Sequence, residues 1–422
     1  MSNWYESQQP AMGELNPDIP QNASLPDELY TPIVARYLRI QDTTWGEAKS
    51  GFIVRYRGNL YNDDSAAAYD QLAANLRTFD ITPLFRTEAG LHTIVLIKGV
   101  VKPKPSKSWV PILLLALTVL SVLFAGTLYS YNGPPASSVG EAIRNILANL
   151  SQGIPFAVGL LSILLAHEFG HYLAGRFHRT AVTLPYFIPF PLSYFGTMGA
   201  FIQLKEPPKN RRILLDIGIA GPLAGLVVAI PVLLIGLSLS TIEPIPYRIP
   251  AGQGFEGNSI LYLVLKYVVT GLWLPEPVTY NGISPVLYWI RYLFTGTPLP
   301  RGGLDVILHP LAWAGWAGLL VTALNLIPAG QLDGGHLIYV LIGRRASRLL
   351  PFILGALILL GMVWSGWWLW AFLIFLLGRL YAEPLDQITT LDPRRKAVAV
   401  LGLVIFLLVF VPVPLIEVLG SA

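Results

Sequence analysis

The stretch QGIPFAVGLLSILLAHEFGHYLAG, Gln152 to Gly175, decides how the rest of the chain is read. From Gly153 to Ala166 it carries no charged residue, and its length suits the roughly 20 residues an α-helix needs to cross a bilayer. Near its end stand His167, Glu168 and His171. An ionisable group inside a spanning helix costs a few kcal/mol unless it is paired or ligating, so three within about one turn need a chemical reason. His167 and His171 are four apart, share one helix face, and can bind the same zinc ion. Glu168 lies beside them, placed to take a proton from an attacking water and pass it to a leaving amine. With six histidines in the chain, a chance H-E-x-x-H has an expectation of roughly a few in a thousand. Histidines hydrogen-bonded between helices for packing are the bland alternative.

Composition agrees with a membrane setting. Of 422 residues, 53% are hydrophobic and 13% charged, far from the usual quarter charged of soluble domains. A net charge of +4 could suggest nucleic acid. However, Lys and Arg gather beside apolar runs rather than forming a basic domain, which membrane topology explains, and no nucleic-acid partner is expected. The absence of cysteine excludes disulfides, thiolate nucleophiles and Cys-type zinc sites, so any metal must use His, Asp or Glu. The first basic residue is Arg36, after an acidic stretch rich in Pro, Asn and Ser. Neither a signal peptide nor a transit peptide is expected from it, and a prokaryotic cytoplasmic membrane is the simplest home.

The charge is uneven along the chain. Residues 1–25 offer little to bury and are expected to be a disordered tail. Residues 26–107 read as a small soluble α+β domain: a strand over Gly51–Leu60, a helix over Ser65–Phe79, and strands over Ile81–Phe85 and Leu91–Lys98. Residues 108–422 read as an α-helical polytopic membrane domain. Lys98, Lys102, Lys104 and Lys107 precede the run Trp109–Tyr131, which by the positive-inside rule puts the head domain in the cytoplasm. The runs Gln152–Gly175, Ile213–Leu239, Leu304–Ile327, Leu349–Val363, Trp368–Leu380 and Val398–Ile416 make about seven spans in all. Every basic cluster then falls on one side if Ser240–Gly303 crosses an even number of times. Whether that segment spans, re-enters or lies flat is left open by its composition. Trp313, Trp316, Trp364, Trp367, Trp368 and Trp370 read mostly as interfacial aromatic belts.

Two histidines leave zinc short of a third protein ligand. The segment NLIPAGQLDGGH, Asn325 to His336, offers two candidates. Asp333 would complete the set, although an N-cap for the following apolar stretch is its bland reading. His336, three residues on, could face the same metal. Pro328 and Gly330 break the span here, and freed backbone groups are tolerable at membrane depth only beside protein or a water-filled cavity. Hydrolysis needs such water.

On these two motifs the chain resembles the site-2 protease family of intramembrane zinc metalloproteases. The resemblance implies one zinc ion held by His167, His171 and Asp333, Glu168 as general acid and base, and Asn325 as a polar group touching substrate or the oxyanion. It implies an intramembrane zinc metalloendopeptidase that cuts single-span membrane proteins within the lipid bilayer. The soluble head with Arg57-Gly-Asn-Leu60 is similar to the plastid and cyanobacterial branch, although Tyr61 stands where that branch has Arg. In the family a membrane-dipping hairpin after the first motif pairs with unwound substrate. Phe195–Leu204 matches that place, with Gly196, Thr197, Met198 and Gly199 as substrate-strand candidates.

Gly221-Pro-Leu-Ala-Gly225 is a G-x-x-x-G sequence that lets helices approach closely, and reads as packing against the catalytic helix. An ion-coupled transporter is the main rival from another class, but its halves should repeat and no segment echoes 160–175. An inactive metal-binding scaffold should lack Glu168.

Overall fold

The computed structural model describes residues 25–47, 50–103, 105–249 and 254–418. The expected tail therefore lies, but for Leu25, outside the described residues, as does Lys104. The chain divides into two compact units at Val100.

The first unit contains helix α1 (Leu25–Val34), strands β1 (Leu38–Trp45) and β2 (Val54–Leu60), helix α2 (Ser65–Leu76), and strands β3 (Ile81–Glu88) and β4 (Leu91–Lys98). The strands form an antiparallel sheet in the order β1-β2-β4-β3. Ala89 and Gly90, both at positive φ, make the two-residue turn between β3 and β4, the conformation whose twist suits a hairpin. The α2 residues Ala68, Tyr69, Leu72 and Leu76 are buried, and Tyr69 meets Phe85 of β3 edge-on. Sequence periodicity anticipated β4 and most of α2, β2 and β3. It missed α1, which contains Pro32, and β1, whose two faces differ little in exposure.

The second unit is mostly helical. It opens with α3 (Trp109–Ser130), α4 (Val139–Ala148) and α5 (Ile154–Phe177), followed by the hairpin strands β5 (Tyr186–Pro189) and β6 (Thr197–Phe201), then α6 (Arg211–Ser238). Short elements come next: β7 (Thr241–Pro244), β8 (Gly254–Glu256), α7 (Ile260–Thr270), α8 (Pro285–Thr295) and β9 (Leu304–Ile307). The chain closes with α9 (Pro310–Asn325), α10 (Asp333–Ile342), α11 (Leu350–Gly361), α12 (Gly366–Leu377), α13 (Pro393–Val409) and β10 (Leu415–Glu417). Strand β7 pairs with β9, and β8 with β10.

Three helical segments among the described residues are long and apolar enough to cross a membrane: Trp109–Ser130, Leu150–Phe177 and Arg211–Ser238. The other expected spans are shorter helices, so the full count of about seven does not follow from helix length. Leu304–Ile327 is not one helix: Leu304–Ile307 pairs with β7, and α9 starts at Pro310, whose fixed φ and missing N–H suit a first helical turn. At the other end of the chain, the run to Ile416 leaves the helix at Val409 and enters β10.

Helices α5, α6 and α9 form the centre, where Phe156, Leu160, Leu164, Leu233, Ala314 and Trp316 share one apolar core. Trp316 and Trp367 do not face outward. Both are buried, and their indole N–H groups donate to the carbonyls of Gly257 and Pro412 at 2.8 and 2.7 Å, the pairing a buried indole requires.

Candidate active site

The apolar run of α5 delivers His167 and His171 to the face turned toward α6, and these two and Glu168 are buried. The histidine rings are 4.9 Å apart between centroids. Asp333 arrives from far along the sequence. The chain leaves α9 after Asn325, turns through Pro328 and Gly330, and restarts helically at Asp333. The two glycines after Asp333 make this restart possible: a Cβ at Gly334 would lie 1.9 Å from the Leu326 carbonyl oxygen, and one at Gly335 2.2 Å from that of Gly330. Only bare backbone lets the first turn of α10 rest on the broken segment.

Asp333 is the first residue of α10, preceded by the N-cap Leu332. The N-cap reading is thereby corrected. Its carboxylate points at the histidines, with Oδ2 3.3 Å from His167 Nε2 and Oδ1 3.3 Å from His171 Nε2. The two Nε2 atoms are 3.2 Å apart. His171 Nδ1 donates to the Ile217 carbonyl at 2.7 Å, the contact that orients a ring whose Nε2 is to ligate. Two ring nitrogens and a carboxylate converge on one point, a donor set that a cation between them would satisfy.

The separations fit zinc. Tetrahedral zinc with bonds of about 2.0–2.1 Å keeps its donor atoms about 3.3–3.4 Å apart. His167, His171 and Asp333 meet that spacing, with all ligand atoms within 4.8 Å of one another. His336, the other sequence candidate, is not in this group. Its ring lies against Gly218, where an added Cβ would come within 3.0 Å of His336 Cβ.

Glu168 Oε2 is buried with no hydrogen-bond partner. Such an orphan is costly, and here it is a free acceptor within one residue of a candidate metal ligand. Asn325 places its side-chain amide 3.2 Å from His167 Nε2, at the edge of the donor cluster. The four strand candidates lie together on the β5–β6 hairpin. Gly196 has φ +72 and a carbonyl held by Ser121 Oγ at 2.5 Å. Thr197 is buried and donates to Ile188, whereas Met198 is exposed and Gly199 has open space around it. The two strands form a two-stranded sheet, so β6 has one edge with no strand partner among the described residues.

Sequence reasoning missed two features. A Cβ on Gly221 would sit 2.1 Å from His171 Nε2, so this glycine abuts a candidate metal-ligating nitrogen and is more than generic packing. The G-x-x-x-G spacing was its only signal. The second is an ionic clamp. Asp216 of α6 receives both Nε and Nη2 of Arg395 at 3.0 and 2.8 Å, and its Oδ2 lies 3.0 Å from His178 Nε2 at the end of α5. It ties three helices together next to Ile217, the partner of His171. Nothing local in sequence announces a contact between residues so far apart.

Comparison with known proteins leads to the same chemistry. The model of peptidase family M50 matches residues 155–365, half of the chain, and covers both motifs. The probable zinc metalloprotease EGY1, chloroplastic, of Arabidopsis thaliana is 29% identical over 340 residues, 76% of this chain and 56% of that protein. The probable zinc metalloprotease EGY2, chloroplastic, of the same plant is 31% identical over 290 residues, 68% of this chain and 47% of that protein. The chain thus spans about half the length of the curated relatives it matches, and these relatives agree with the plastid-branch resemblance read from the head. No solved structure matches. With both motifs inside the matched region and their donors converged as a zinc site requires, the chain belongs to peptidase family M50.

Proposed function

We propose that this chain is an intramembrane zinc metalloendopeptidase that hydrolyses peptide bonds of single-span membrane proteins. The convergence of His167, His171 and Asp333 beside the unpartnered Glu168 carries this reading. The three donors would hold one zinc ion. Bound there, zinc supplies Lewis-acid polarisation and lowers the pKa of a water toward neutrality. The chain's own residues do the rest. Glu168, orphaned and buried, accepts the proton of the attacking water and returns it to the leaving nitrogen as the C–N bond breaks. Asn325 directs its amide at the same spot and stabilises negative charge on the carbonyl oxygen. The free edge of β6 receives the substrate as an added strand, with Gly199 leaving room for its backbone.

The protein is an integral membrane protein. For the finer topology, α9 with the broken segment and α10, together with α11, α12 and α13, supply four further crossings. Arg344, Arg345, Arg348, Arg379, Arg394, Arg395 and Lys396 then fall on one side of the membrane. The relatives' printed names place them in chloroplasts, and they lend no support to the expected prokaryotic cytoplasmic membrane. The proposed activity is tested with Glu168→Gln, purified and reconstituted with a single-span substrate. The variant is expected to retain zinc and to lose cleavage; cleavage at the wild-type rate would sink the mechanism.

A further inference from the structure

Between α6 and α9 the chain carries α7 and α8, which the chemistry above does not use. Each has 11 residues, about 16 Å of helix, half of a roughly 30 Å hydrocarbon core, so neither crosses. Both ends of each are capped: Ser259 and Ser284 accept from backbone N–H groups at the N-termini, and Gly271 and Gly296 close the C-termini at positive φ. Neither helix is a fragment of a longer one.

Their polarity is reversed relative to a helix in water. In α7 the one charged residue, Lys266, is turned inward, 2% exposed and paired through Nζ with Asp305 Oδ1 at 2.5 Å. Beside it Tyr262 is buried and donates to Glu256 Oε1 at 2.7 Å. The opposite face consists of Ile260, Val264, Tyr267 and Val268, all exposed, with Val268 at 70%. In α8, Tyr288 and Tyr292 turn inward, while Val286, Leu287, Ile290 and Phe294 are exposed and Arg291 stands at the edge of that face. An aqueous helix would place the lysine outward and the branched aliphatics inward.

We propose that α7 and α8 lie along the membrane surface opposite the basic clusters, with these apolar faces immersed in the lipid of that leaflet. Lipid is favoured over a protein partner by continuity. Helix α7 packs against α6 and α13, whose C-terminal halves also expose apolar side chains, Ile235 on one, followed by Leu239 just past its end, and Leu407 on the other. The apolar face of α7 prolongs that belt. Aromatic residues fit the same depth: Tyr267 stacks on Trp273 at 4.7 Å, and Trp289 sits edge-on to Tyr292, the residue types that favour the headgroup boundary. On this reading Ser240–Gly303 contributes no crossing. The proposal rests on membrane insertion alone and not on proteolysis.

The chain has no cysteine, so single cysteines introduced at Val264, Val268, Val286 or Ile290 of the full-length protein take one nitroxide label each. The labelled protein is reconstituted in phosphatidylcholine liposomes containing a minority of phosphatidylglycerol. Collision with oxygen and with a water-soluble nickel chelate is then measured by electron paramagnetic resonance. Leu120 on α3 serves as the lipid-facing reference and Asn281 as the aqueous one. The oxygen-to-nickel ratio at the four sites is expected to exceed that at Asn281 several-fold and to approach that at Leu120. A ratio equal to that at Asn281 would overturn the proposal, since the faces would be in water. Low collision with both reagents would overturn it too, since a second copy or another protein would then cover them.

Discussion

Gly221→Ala puts the geometry of the metal centre to its sharpest test. The added methyl would lie 2.1 Å from His171 Nε2, 2.4 Å from Cδ2 and 2.5 Å from Cε1. Ordinary contact begins near 3.4 Å, so α6 must retreat by about 1.3 Å or the imidazole must swing away. Zinc sites tolerate errors of about 0.2 Å in ligand position, so His171 no longer ligates. Stability moves much less. Alanine gains about 1 kcal/mol over glycine in a helix interior, while overpacking costs typically about 1–3 kcal/mol. The variant should therefore fold with Tm only slightly reduced yet lose about 100-fold or more in cleavage, the scale of a misplacement near 1 Å or a lost outer-shell contact. Zinc content of the purified protein, cleavage of a reconstituted single-span substrate and thermal unfolding are measured together. Gly355→Ala, on α11 with nothing near its Cβ position, is the control and should match the parent in all three. Wild-type zinc and cleavage in Gly221→Ala would falsify the close approach of α6 to His171.

Further outcomes follow from other contacts. His167→Ala and Asp333→Ala should each drop well below one zinc per chain, and near-stoichiometric metal in both would refute the ligand set. Chelation of the parent should abolish cleavage reversibly, with zinc restoring it. Asp216→Asn weakens a clamp on α5, α6 and α13 whose members are partly exposed, so about 1–2 kcal/mol of stability is at stake. Because Ile217 is adjacent, zinc affinity should fall as well, by up to about tenfold; an unchanged affinity would show the clamp does not reach His171. Glu256 lies in β8, outside the candidate spans, and burial raises its carboxyl from the ordinary 4.5 to about 7. The folded state then binds more protons than the unfolded between those values, so stability declines as pH rises through this window and levels off above it. Discounted for partial exposure, about 1 kcal/mol is expected between pH 5 and 7, and Glu256→Gln should flatten the slope of Tm against pH.

The centre of the site was legible because its parts are local. The four-residue spacing of His167 and His171, with Glu168 between them, is fixed by helix period, and the apolar run of α5 is fixed by composition. The break at Pro328 and Gly330 was equally plain, since proline lacks the N–H a helix interior needs and glycine after it weakens the helix further. Other features depended on distance. Asp333 and His336 are equivalent by sequence spacing; the structure separates them because the first turn of α10 rests on the carbonyls of Leu326 and Gly330, which aims Asp333 at the histidines and leaves His336 against Gly218.

What the sequence by itself determined is therefore the metal-binding chemistry, the membrane setting and most strands of the first unit, each carried by periodicity or by residue type. Only the tertiary structure decided that Gly221 must lack a side chain, that Asp216 joins His178 to Arg395, and that Lys266 turns inward while Val268 turns out. The physical reason is common to all three. Helix packing at close range is set by which atoms from distant segments fill the same space, and a one-dimensional pattern records the period of a face but not what lies opposite it.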